Sequence, residues 1–220
     1  VAANTFSANS ATTVGTNGVV NLGNSAQSIN NVFLTSNGEI ANGSLNGAIS
    51  SSGGIVDGIG GTASLKTTAG TTSIFGSNTY TGNTTINGGT LTAIGPNAFS
   101  AGSATTINAS GTITLSGTNG YTGATTVNGG TLAASGANAF SVGSATTVNS
   151  GGTLNLGGFA QGINAVSLAG GTLTNGSLTG AITSTGGTVN GITGSTSLTN
   201  NSGTTTLSGT NGYTGATTVN

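Results

Sequence analysis

Hydrophobic and polar residues alternate over short stretches of this chain. Residues 112–115 read Thr-Ile-Thr-Leu, and residues 153–156 read Thr-Leu-Asn-Leu. Successive side chains of a β-strand point to opposite faces, so the alternation predicts strands with aliphatic residues on one side and threonine or asparagine on the other. The pattern predicts an all-β protein built from short strands.

A glycine precedes each of these strands, and the glycines recur at intervals of 16–22 residues. Hairpins of a β-sandwich would place turn signals about every 8–12 residues. The longer interval matches one coil of a β-solenoid, in which each strand pairs in parallel with the equivalent strand of the next coil. We therefore predict about 11 coils whose opening glycines form one column: Gly18, Gly38, Gly54, Gly70, Gly89, Gly111, Gly130, Gly152, Gly171, Gly187 and Gly203.

Two longer repeats overlie this period. Residues 80–103 recur at 121–144, and residues 1–87 recur at 135–220 with one single-residue shift. We interpret residues 1–220 as a single continuous solenoid segment, a slice of a longer repetitive protein, because the last repeat stops at Asn220 partway through its motif.

Charge is almost absent from the chain. It has 1 Lys or Arg, 2 Asp or Glu, no His and no Cys among 220 residues, whereas globular domains are about 25% charged. No cofactor is expected, because zinc, haem and iron–sulfur sites need Cys or His. Nucleic-acid binding needs several basic residues, and no apolar run approaches the roughly 18 residues of a membrane helix, so neither partner is expected.

Asparagine and glycine recur at the predicted corners between strands. Gly89, Gly111, Gly130 and Gly152 should stack in register along the solenoid, because parallel coils repeat at about 4.7–4.9 Å. Asparagine tolerates left-handed backbone conformations, and stacked amides form ladders. We predict such a ladder at Asn87, Asn108, Asn128 and Asn149.

Residues 111–132 carry a recognisable motif. It resembles the passenger-associated repeat of bacterial autotransporters, which runs Gly-Thr-Leu-x-Leu-x-Gly-x-Asn-x-Tyr-Thr-Gly-x-Thr-x-[Val/Ile]-x-x-Gly-x-Leu. A second copy spans residues 70–91, and a third begins at Gly203. The motif tyrosines are expected to pack at coil corners, rather than to face outward as binding aromatics: Tyr80, Tyr121 and Tyr213.

The resemblance implies a right-handed parallel β-helix, exported across a Gram-negative outer membrane and displayed or released outside the cell. It implies a repeat that helps passenger folding and secretion, and it transfers no catalytic residue. We therefore expect a non-enzymatic stalk or fibre that supports adhesion or biofilm formation, with any cell-surface or matrix ligand bound outside this segment. A self-assembling extracellular filament or sheath is the alternative.

Three other functions fit the sequence less well: glycoside hydrolysis, calcium binding and ice binding. Glu39 and Asp57 are the only carboxylates, and carboxylate pairs hydrolyse glycosides, but the long repeat replaces both with uncharged residues. Calcium-binding repeats need an Asp in every repeat, and this chain has a single aspartate, Asp57, so calcium binding is not expected. Threonine rows can bind ice, but Ala133 and Asn155 interrupt the row, and unequal coil lengths are expected to disturb it. The three charged side chains, Lys66 included, are expected to be solvated surface residues.

Overall fold

The computed structural model describes residues 2–220, and this part of the chain forms nineteen β-strands and no helix. All pairings between these strands are parallel. The strands are β1 (Ala11–Val14), β2 (Val19–Leu34), β3 (Gly38–Ser51), β4 (Gly54–Gly61), β5 (Ser64–Thr67), β6 (Thr71–Phe75), β7 (Thr84–Ala93), β8 (Thr105–Leu115), β9 (Thr125–Val127), β10 (Thr131–Ala134), β11 (Ala145–Asn149), β12 (Thr153–Asn155), β13 (Ala160–Ala169), β14 (Thr172–Ser184), β15 (Gly187–Gly194), β16 (Ser197–Asn200), β17 (Thr205–Ser208), β18 (Gly212–Tyr213) and β19 (Thr217–Val219).

The strands wrap into a solenoid with three faces. Long strands turn the corners by shifting register: β2 contributes residues 19–21 to the first face, 25–28 to the second and 31–34 to the third. The first and third faces run through the described chain. The second face has strands only in the early coils and again from residue 160 onward, and between them its place is taken by loops.

One in-register row on the first face counts the coils. Each member pairs with the next, and the row is Val19, Glu39, Ile55, Ser73, Thr92, Thr114, Ala133, Asn155, Thr174, Asn190 and Ser208. The expectation of a parallel β-solenoid of about 11 turns is confirmed. The right-handed sense of the coil, and the place of this segment in a longer protein, stay predictions.

The interior of the solenoid is a stack of aliphatic side chains. Leu91 pairs with Ile113, Ile113 with Leu132, and Leu132 with Leu154, and all four are buried. On any one face, a coil supplies at most two such residues. The coils above and below complete the core, because parallel strands lie about 4.7–4.9 Å apart. A continuous core therefore forms although only 33% of the residues are hydrophobic.

The prediction that the eleven opening glycines form one column is wrong at two positions. Gly54 lies opposite Thr72 and not Gly70, and Gly187 lies opposite Thr205 and not Gly203. The two-residue slip places Ile74 beside Val56 and Leu207 beside Val189. A slip of two residues keeps each side chain on its own side of the sheet, so the register follows the aliphatic stack and not the glycines.

Threonine also enters the interior, which the alternation pattern did not predict. On the third face Thr84 pairs with Thr105, Thr105 with Thr125, and Thr125 with Thr146, and all four are buried. The next residue of each strand, such as Thr85, is half-buried on the outer side. Threonine therefore lies on both sides of this sheet.

Candidate functional site

Loops that replace the second face hold the motif tyrosines. The side chains of Tyr80 and Tyr121 are buried, and Tyr213 packs against the core while partly exposed. The Tyr80 hydroxyl lies 3.0 Å from Thr84 Oγ1, and the Tyr213 hydroxyl lies 2.8 Å from Thr217 Oγ1. Tyr80 and Tyr213 thus each join their loop to the strand that follows on the third face.

Burial changes the proton affinity of two of these tyrosines. Loss of solvent contact raises the pKa of Tyr80 to about 12, although its hydrogen bond to Thr84 opposes the shift. Burial raises the pKa of Tyr121 as well. The Tyr121 ring also meets the Phe99 ring edge-on, with centroids 5.1 Å apart. Both phenols are therefore neutral packing groups at physiological pH.

Buried side-chain amides connect the loops of successive coils. Asn119 Oδ1 accepts the Phe99 N–H at 3.1 Å, and its Nδ2 donates to the Ala139 carbonyl oxygen at 3.1 Å. Asn78 does the same, accepting from the Ile59 N–H at 2.9 Å and donating to the Ala98 carbonyl oxygen at 2.8 Å. One amide thus bridges the coil before it and the coil after it where strand pairing on the second face is missing.

Three further amides act in related loops. Asn211 Oδ1 accepts the Ile192 N–H at 2.9 Å. Gln161 accepts the Phe140 N–H at 3.2 Å, and Gln27 accepts the Thr5 N–H at 2.8 Å. These buried amides were not predicted from the sequence. The sequence does contain a signal for the three asparagines, because Asn78, Asn119 and Asn211 each precede a motif tyrosine by two residues.

The glycines and asparagines named at the corners occupy two separate lines along the solenoid. Gly89 pairs with Gly111, and the strands that follow Gly111, Gly130 and Gly152 stay in register. Asn108 Nδ2 donates to Asn87 Oδ1 at 2.7 Å, Asn128 Nδ2 to Asn108 Oδ1 at 3.3 Å, and Asn149 Nδ2 to Asn128 Oδ1 at 2.7 Å. The glycine line lies where the first face begins, and the amide ladder lies where the third face ends.

Threonine forms an unbroken line on the outside of the first face. We call it the threonine column: Thr71, Thr90, Thr112, Thr131, Thr153, Thr172, Thr188 and Thr206. Unequal coil lengths do not disturb it, contrary to our expectation, because the loops absorb the extra residues. The neighbouring row does break the pattern, at Ala133, Asn155 and Asn190, so the face is not a regular two-dimensional threonine array.

The charged residues separate onto two faces. Glu39 and Asp57 point outward from the first face on adjacent coils, two positions apart along the strand. Lys66 lies on the third face, between Ser50 and Thr85. Within residues 2–220 no group of three potential metal ligands occurs, and no helix is long and apolar enough to cross a bilayer.

Comparison with known families identifies the motif. The sequence model of the passenger-associated-transport-repeat family matches residues 65–93, 110–134 and 199–220. The chain carries three passenger-associated transport repeats. The resemblance seen in the sequence is thus confirmed, and the matched passenger repeats contain the bridging asparagines and the motif tyrosines. No curated protein and no solved structure gives a significant match to the chain.

Proposed function

We propose that the chain is a rigid, non-enzymatic stalk segment of a secreted passenger displayed on the outside of a bacterial cell, where it supports adhesion or biofilm formation. The observation that carries this proposal is a continuous parallel solenoid that contains three passenger repeats. Amide bridges hold the loops of adjacent coils together inside those repeats, so each coil is attached to its neighbours on all three sides. A stiff spacer is the role that such a structure suits best.

Surface display tests the stalk proposal. The chain would be produced within its parent protein with an epitope at the end far from the membrane, and the epitope would be detected with antibody on intact cells. We expect labelling without lysis, extended rods in electron micrographs, and reduced adhesion when the segment is removed. Labelling that appears only after lysis would contradict display, and unchanged adhesion would contradict the stalk role.

A second candidate function is self-assembly into an extracellular filament or sheath, and the threonine column supports it. Its hydroxyls make no hydrogen bond to other groups among residues 2–220, and residues 67–220 contain no charged side chain. Identical β-branched side chains in register can interdigitate with a second copy, as in steric zippers, and no like charge opposes the approach along this part of the face.

Sedimentation velocity at rising protein concentration tests this assembly. We expect lateral association of the natural chain and its loss in Thr131→Lys/Thr153→Lys, which adds charge to the threonine column. Thr126→Lys/Thr147→Lys adds the same charge to the third face and serves as the matched control. Isolated rods at all concentrations, or equal loss of association in both variants, would contradict assembly through the first face.

A further inference from the structure

A groove lies on the outside of the first face, in the early coils. Its floor is the in-register row Val19, Glu39, Ile55 and Ser73, which spans about 14 Å because the strands are about 4.7–4.9 Å apart. Asn17 and Asn37 border one side, and Phe75 borders the other. The volume of about 460 Å³ falls within the range of small-ligand sites.

The groove combines an apolar floor with one uncompensated carboxylate. Val19 is 57% exposed, although burial would favour such a side chain, and Ile55 and Phe75 remain half-exposed beside it. The half-buried Glu39 carboxylate makes no hydrogen bond or ion pair with any residue the structure describes. The only lysine of the chain is on another face. The groove is therefore suited to a ligand with an apolar surface and a positive charge.

The second half of the chain shows that folding does not require these groove residues. The long repeat places Thr153, Thr172 and Thr188 where the first half has Val19, Glu39 and Ile55. Those threonines pair with one another as the groove residues do. Ser208 likewise replaces Phe75. Because threonine and serine support the same strand pairing, the fold does not account for the apolar and acidic residues of the groove.

We propose that this groove binds a saccharide that carries a free amino group. The apolar face of a sugar ring rests on Val19, Ile55 and Phe75, the ammonium pairs with Glu39, and sugar hydroxyls bond to the amides of Asn17 and Asn37. Asp57 pairs with Phe75 at the border of the groove, so the local charge also disfavours anionic sugars. The site goes beyond the stalk role, because it places a ligand on this segment itself.

Backbone pairing favours a sugar over a peptide. A peptide that binds a sheet adds to an exposed edge strand through main-chain hydrogen bonds. β3 lies between β2 and β4, and β4 lies between β3 and β6, so the strands beneath Glu39 and Ile55 have no free edge. Among the strands under the groove, only residues 19–21 of β2 have an unpaired side, because β1 pairs with the third-face part of β2. At Glu39, Ile55 and Phe75 binding must then depend on side chains across a flat surface, which matches the ring faces and hydroxyls of a saccharide.

Calorimetric titration with two trisaccharides tests the proposal: the fully deacetylated glucosamine trimer and its N-acetylated counterpart, which lacks the positive charge. We expect the natural chain to bind the deacetylated trimer at least tenfold more tightly, and less tightly as salt screens the ion pair. Glu39→Thr should remove the preference for the amino sugar. Val19→Thr/Ile55→Thr/Phe75→Ser should weaken binding of both sugars at least tenfold.

A graft into the second half of the chain provides the matched control. Thr153→Val/Thr172→Glu/Thr188→Ile/Ser208→Phe, made on the Val19→Thr/Glu39→Thr/Ile55→Thr/Phe75→Ser background, should restore the preference for the amino sugar. The affinity should stay below that of the natural groove, because Gly151 and Gly170 stand where the groove has Asn17 and Asn37. Circular dichroism should show unchanged folding in both sets. Absence of binding to the natural chain would overturn the proposal, and so would binding that the groove substitutions do not weaken. Equal affinity for a trilysine peptide would also overturn it, by showing that charge alone attracts the ligand.

Discussion

At the scale of single residues, the buried asparagines of the passenger repeats each make several side-chain hydrogen bonds. Asn119 serves as acceptor for one coil and as donor to its own loop and to the next coil. An amide has both capacities in one planar group, and aspartate or alanine does not. A position that needs donor and acceptor at once therefore selects asparagine or glutamine.

Asn119→Ala should lower the free energy of unfolding by about 2–4 kcal/mol. The substitution leaves the Phe99 N–H and the Ala139 carbonyl buried without partners, and an unsatisfied buried polar group costs about 1–3 kcal/mol. Urea denaturation followed by circular dichroism measures the change. Asn128→Ala, which removes an exposed member of the amide ladder, is the control and should cost less than about 1 kcal/mol. Equal losses would show that the bridge does not stabilise the fold.

The buried tyrosines predict an alkaline loss of stability. A phenol whose folded pKa lies above its unfolded value of about 10 holds its proton more tightly in the folded state. Its contribution is fully present below about pH 10 and is lost as the pH rises through the folded value, which for Tyr80 is about 12. The urea midpoint should stay level from about pH 6 to 9, where no side chain of this composition ordinarily titrates, and then fall. Tyr80→Phe/Tyr121→Phe should shrink this fall, and a fall of unchanged size would contradict the assignment.

At the scale of strands, the first face depends on close backbone approach at its opening glycines. A Cβ added to Gly130 would overlap the carbonyl oxygens of Gly111 and Asn108 and crowd the Ile107 side chain. A Cβ added to Gly136 would find its nearest neighbour 3.9 Å away. Neither glycine has a positive φ, so packing alone distinguishes the two positions.

Gly130→Ala should therefore destabilise the protein by about 1–3 kcal/mol, the usual cost of overpacking. Gly136→Ala should be neutral or slightly stabilising, because alanine restricts the unfolded chain more than glycine does. Thermal unfolding of the two variants side by side checks the difference. If both substitutions had the same effect, close stacking at the glycine line would not be what constrains Gly130.

At the scale of the whole molecule, the 41-residue repeat behaves as a two-coil module. Deleting residues 88–128 joins Asn87 to Gly129 and restores the same Asn-Gly-Gly-Thr-Leu sequence at the junction. The shortened chain should fold as a solenoid about 10 Å shorter, because two coils are removed and each coil contacts only its neighbours. Small-angle scattering gives the length.

Deletion of residues 88–117 is the matched control for this module. It removes fewer residues than the first deletion but joins Asn87 to Thr118, so that a loop follows where a strand is needed. This variant should lose cooperative unfolding or aggregate. If both deletions folded equally well, register between coils would not be the principle that organises the chain.

The sequence by itself determined the class of fold, the number of coils and the line of inward aliphatics. The alternation of apolar and polar residues and the spacing of the glycines can be read from short stretches of sequence, and they indicate strands without knowledge of tertiary contacts. It also showed the positions of the corner asparagines and motif tyrosines. Only the tertiary structure decided the two-residue slips at Thr72 and Thr205, the inward threonines, and the amide bridges of Asn78 and Asn119. Those features depend on which residues of neighbouring coils lie opposite each other. Because the coils differ in length, no fixed spacing in the sequence gives that alignment.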